Sequence, residues 1–116
     1  MEERLSTWLW VDALMRRAQI EGASVFVLQK GDAERGSVLI KVATLDGAAR
    51  LYAPGMGMDG GRVFTDLVAQ GVGPDEVGID AYISRTRDRD RDVWVLEIED
   101  RAGRHFLTEP VEPPAD

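Results

Sequence analysis

Glu97 and Glu99 alternate along Trp94-Val95-Leu96-Glu97-Ile98-Glu99. In a strand their carboxylates point the same way, about 7 Å apart. That spacing suits a hard cation or a carboxylate pair, and it is also what the wet face of a sheet carries. His105 is the single histidine, so one chain builds neither a histidine metal cluster nor a two-histidine acid–base pair. The turn residues Asp100 to Gly103 predict that Arg104-His105-Phe106-Leu107 returns as a terminal hairpin, which would bring His105 to Glu97 and Glu99. These three residues, with Arg50 and Lys41 beside them, make a candidate ligand face.

Two further stretches carry a chemical suggestion. Gly55-Met56-Gly57-Met58-Asp59-Gly60 matches the spacing of a dinucleotide-binding loop. That fingerprint requires a parallel strand–helix–strand unit, whereas the strands before it read as hairpins, so a flexible loop is the better reading. Arg85, Arg87, Arg89 and Arg91 invite a phosphate, but Arg85/Asp88, Arg87/Asp90 and Arg89/Asp92 fall at i,i+3 on a helix and would neutralise one another. No serine sits in a nucleophile-elbow context, and the absence of cysteine excludes thiolate chemistry and disulfides. No catalytic residue, metal ligand or cofactor is assigned.

The chain is 116 residues long, 44% hydrophobic and 30% charged, as expected of one globular domain. A net charge of −7 disfavours nucleic acid and anionic membrane as partners. Met1-Glu2-Glu3-Arg4 does not start a signal peptide and no run is long enough to span a bilayer, so the cytoplasm is the expected setting.

A helix is predicted over 5–21, with Ser6 or Thr7 as cap and Gly22 as stop. Trp8, Trp10, Val11, Leu14, Met15 and Ala18 share its main apolar face. A second strip, Leu9, Ala13 and Ile20, sits apart and is the candidate interaction surface. Strands are predicted over 24–29, 37–44 and 48–53 as a meander, with Asp46-Gly47 as a hairpin turn. A Gly-rich loop follows over 54–61. Residues 62–68 are ambiguous: Val63, Thr65 and Leu67 alternate as in a strand, while Val63/Leu67 and Phe64/Val68 also fit a helix, and the strand is the favoured reading. A second helix is predicted over 75–88 behind Pro74. The expected architecture is a single α+β domain over 1–109, an antiparallel sheet of four to six strands with both helices on one face. The proline-rich tail 110–116 is expected to be disordered.

Several stretches together carry a family likeness. Trp8 to Ala18, Gly36 to Val42, Leu51-Tyr52-Ala53-Pro54, Asp80-Ala81-Tyr82-Ile83 and Asp92 to Arg101, in that order, resemble the bacterial domain-of-unknown-function family 1491. The resemblance spans nearly the whole chain and departs at the Arg-Asp repeat before Trp94. It implies a soluble bacterial protein of this length and brings no activity with it. The expected function is therefore a cytosolic protein-interaction or adaptor module with a protein partner, a homodimer included. The alternative is a ligand-binding protein or enzyme using Glu97, Glu99 and His105.

Overall fold

The computed structural model describes residues 5–113. The elements are α1 (Thr7–Ile20), β1 (Ser24–Gln29), β2 (Val38–Ala43), β3 (Ala49–Met56), β4 (Arg62–Asp66), a 3-10 turn (Leu67–Gln70), α2 (Glu76–Arg89), β5 (Trp94–Glu99) and β6 (Val111–Glu112). Both helices lie within two residues of their expected ends, and the ambiguous 62–68 stretch is a strand to Asp66. Among the described residues no helix is long and apolar enough to cross a membrane.

The strands form one sheet in the order β1-β5-β2-β3-β4-β6. It is mixed, not antiparallel: β2 pairs with β5, and β4 with β6, in parallel. The β2–β3 hairpin forms, closed by Thr44 N–H donating to the Ala48 carbonyl at 3.2 Å. Its loop is three residues, Leu45-Asp46-Gly47, with positive φ at Leu45 and Gly47 in place of the expected two-residue Asp46-Gly47 turn. The meander fails one step earlier, because β5 inserts between β1 and β2. Apolar groups on both faces of β5 explain this: Val93 and Val95 on one, Trp94, Leu96 and Ile98 on the other, all buried. Such a strand belongs inside a sheet.

The helices lie on opposite faces, which corrects the one-face expectation. On the first face, Trp10, Val11, Leu14 and Ala18 of α1 pack on Val38, Ile40, Val42 and the Trp94 row. On the second, Ile79 and Ile83 of α2 pack on Leu39, Leu51, Val93 and Val95. Every residue of β2 is buried, so one helix layer could never have covered it.

Local chemistry sets the helix ends. Asp75 caps α2 by accepting from Gly78 N–H at 3.0 Å. Ser6 makes no side-chain cap on α1; the amides of Thr7 and Trp8 instead donate to the carbonyls of Glu34 and Ala33. The 30–37 loop thus seals the start of α1.

After β5 the chain does not return as a hairpin. Residues 101–110 cross the α1 face, Phe106 and Leu107 packing on the core, and deliver β6 to β4. The expected disordered tail therefore begins with a strand; its last residues, 114–116, lie outside the described residues. Asp100 anchors this strap. It accepts two hydrogen bonds from the Arg104 guanidinium, each 2.9 Å, and one from Arg104 N–H at 2.8 Å. The guanidinium holds the Asp100 carboxyl below its ordinary value of 3.8 against the opposing effect of burial. A depressed carboxyl contributes stability that is present above its unfolded value and lost as pH falls through the folded one. Asp100→Asn is expected to lower Tm by about 5 °C at neutral pH. The gap to wild type should close below the ordinary aspartate range, as thermal melts across the acid range will show.

Candidate functional site

The outer face of α1 is the first candidate. The helix buries the arc Thr7, Trp10, Val11, Leu14 and Ala18, and the helical repeat turns Leu9, Ala13 and Ile20 nearly to the opposite side. Ile20 is 82% exposed, Leu9 is exposed and Ala13 is half-buried. The Asp12–Arg16 ion pair, 3.0 Å, runs beside them. Trp8 was expected on the core face but is 47% exposed, since it lies at the rim of the buried arc. Trp8, Leu9 and Ile20 are thus the large apolar side chains that α1 leaves exposed.

The ligand face expected from Glu97, Glu99 and His105 is divided by the sheet. Glu97 and Glu99 lie on the α2 side, where Glu97 Oε1 is 3.1 Å from Lys41 Nζ. Lys41, only 4% exposed, also meets Glu76 of α2 at 2.8 Å and Asp80 at 2.9 Å. Burial pulls the Lys41 ammonium toward deprotonation, but its three carboxylates outweigh burial and raise its pKa. Glu97 is therefore occupied in a cross-layer ion cluster that ties α2 to β2 and β5. Glu99, half-buried, is two residues along the same face.

His105 is on the α1 side. Its ring meets Tyr52 edge-on, centroids 5.1 Å apart, and its Nδ1 accepts from Leu107 N–H at 2.9 Å, which leaves the proton on Nε2. Burial lowers its pKa, with the charge of Asp66 opposing, which favours the neutral ring. Arg50 is on this side too, paired with Asp66 at 2.6 Å. Tyr52 completes the group, its phenol pushed up by burial and by Asp66. The crossing strap, not a hairpin, decides this placement, and it carries His105 away from Glu97.

The Gly-rich stretch is the tip of the β3–β4 hairpin, with Gly57 N–H donating to the Gly61 carbonyl at 2.8 Å. No parallel strand–helix unit follows it. The tip borders a cleft of about 770 Å³ against the first turn of α1 and residues 34–37, lined by Leu5, Met56, Arg35 and Arg62. The Arg-Asp run also differs from expectation. Among the described residues none of its i,i+3 pairs forms an ion pair; Arg87 instead donates to Gln29 Oε1 at 2.7 Å, and Arg85 stacks over Tyr82.

Sequence reasoning set Lys41 on the wet face and missed its cluster. The signal was present: a lone lysine inside Val38-Leu39-Ile40-Lys41-Val42-Ala43, and acids at i,i+4 on the next helix.

The comparisons with known proteins agree on the fold and the family. The DUF1491 family model, for proteins of unknown function, matches residues 5–108. None of the curated proteins matches the chain. A crystal structure of a DUF1491 family protein from Caulobacter crescentus CB15 is 49% identical with a TM-score of 0.86, covering 94% of this chain and 100% of that one. An NMR structure of a DUF1491 family protein from the same organism is 48% identical, TM-score 0.82, covering 96% and 99%. The solution structure of protein Atu0922 from A. tumefaciens is 29% identical, TM-score 0.76, covering 97% and 100%.

Proposed function

The chain belongs to the DUF1491 family, proteins of unknown function, and from that premise we propose that it is a non-catalytic protein-interaction module working through the outer face of α1. The observation that carries the reading is the strip Leu9, Ala13 and Ile20, apolar in sequence and turned away from the core, with Ile20 82% exposed. Exposed apolar side chains on a small acidic domain are costly in water, a cost relieved when a partner covers them. The net charge of −7 favours a partner with a basic rim around an apolar patch. The rival reading, a ligand site at Glu97, Glu99 and His105, draws less support. Its acids and its histidine lie on opposite sides of the sheet, and Glu97 is already paired with Lys41.

Leu9→Asp and Ile20→Asp test the proposal without touching the core. Each substitution should leave stability within about 0.5 kcal/mol of wild type. Each should cut recovery of a stoichiometric protein partner at least about tenfold, as a charge buried in an interface core does. Quantitative pull-downs from the native host read the effect. Equal recovery with wild type and both variants would exclude this face as the site.

A further inference from the structure

We infer that β1 is the docking edge for a second copy of this chain, two sheets joining through antiparallel pairing of β1 with β1. The strand ends the sheet order, and among the described residues β5 is its single strand partner. No backbone hydrogen bond from any other described segment reaches it. An unpaired edge presents a row of N–H and C=O groups, and proteins normally blunt such edges with lysine, proline, inward charges or a very short strand. The opposite edge is treated in this way: β6 is two residues long and stands between Pro110 and Pro113. β1 has none of these residues. Ser24-Val25-Phe26-Val27-Leu28-Gln29 contains no charge and no proline, and Phe26, Val27 and Leu28 are 48%, 41% and 42% exposed. Its one irregularity is a register shift between Val27 and Gln29, which confines regular pairing to Ser24–Val27.

The two ends of β1 argue for a second copy as the occupant. The first end carries the acids Glu21, exposed just before it, and Glu99 of β5, which pairs with Ser24. The base beside them, Arg104, donates to the Glu21 carbonyl at 3.1 Å and is neutralised by Asp100. The second end is basic: Lys30, Arg87 and Arg91 surround Gln29, with Asp88 the one acid among them. A twofold pairing centred on Phe26 sets Val25 opposite Val27 of the second copy and both phenylalanines side by side on the α2 face. It also lays the acidic end of each strand along the basic end of the other, so that Glu21 reaches Lys30 twice over. Parallel pairing would set like charges together. The overall −7 of each copy opposes approach at a distance, but salt screens that field within about 8 Å, and the local match decides the contact. The inference stands apart from the role given to α1, because it uses a different surface.

The test is sedimentation equilibrium of the full chain over a concentration series, for wild type and for Val27→Lys, Glu21→Lys and Lys30→Glu. All three positions are exposed, so the variants keep their fold, which melting curves verify. Wild type should dimerise. Each variant should raise the dimer Kd about tenfold or more. Glu21→Lys and Lys30→Glu, each poor at pairing with itself, should regain wild-type affinity when mixed in equal amounts, since opposite charges then meet at both ends. Amide exchange at Val25–Val27 should slow as the concentration of wild type rises. Wild type that stays monomeric at millimolar concentration overturns the inference. So does a dimer indifferent to Val27→Lys, or a charge-variant pair that does not associate on mixing. A dimer lost with Ile20→Asp but kept with Val27→Lys would place self-association on α1 instead.

Discussion

Lys41→Met is expected to lower the stability of the domain by about 3 kcal/mol. Methionine keeps most of the aliphatic stem, so the loss falls on the ammonium, which lies 2.8, 2.9 and 3.1 Å from Glu76, Asp80 and Glu97. Without it three carboxylates face one another with no cation between them, and Glu97, the least exposed of the three, has the least access to water. Adding Glu97→Gln should recover part of the loss, because the two residues share one network. Urea unfolding midpoints of the two variants read both effects. Unchanged midpoints would mean that the cluster contributes nothing net.

The pH dependence has a definite sign. A raised folded-state lysine contributes stability that is complete below its unfolded value, 10.5, and is lost as pH rises through the folded value. The difference between wild type and Lys41→Met should therefore stay level from neutral pH to the onset of ordinary lysine deprotonation and shrink only in stronger alkali.

Gly31→Ala is the second large effect. A Cβ at Gly31 would press into the Asp92 carbonyl oxygen and lie 2.7 Å from Trp94 Cδ1. Neither neighbour can withdraw. The Asp92 carbonyl accepts from Asp32 N–H at 3.0 Å, and the buried Trp94 indole donates to the Asp32 carbonyl at 2.8 Å. The same loop supplies the carbonyls that seal the start of α1, so displacing it disturbs two elements. The expected cost is about 3 kcal/mol, a fall in Tm on the order of 15 °C for a domain of this size. Gly47→Ala is the control. Gly47 has a positive φ of 91° but nothing within 4 Å of its Cβ position, so it should cost only about 1 kcal/mol. Equal losses in the two variants would refute the close approach at Gly31.

Much of the molecule is legible in the sequence alone. The 3.6-residue period determined α1 and α2, and the same period turned Leu9 and Ile20 to solvent, because side-chain direction on a helix is a local property. The two-residue period and the turn residues between them made the β2–β3 hairpin legible, again through contacts near in sequence, although Leu45 joins Asp46 and Gly47 in the loop. Tertiary structure alone decided the rest. Alternation identified β5 as a strand but not that it would lie between β1 and β2, since the pairing depends on closing long loops and on covering both apolar faces at once. Once β5 took that place, the helices had to lie on opposite faces and Lys41 came under α2 beside Glu97. The chain then had to cross the α1 face to reach β4, which left His105 against Tyr52. The neighbours of Lys41, Gly31 and His105 come from distant parts of the chain, and only the packed fold brings them together.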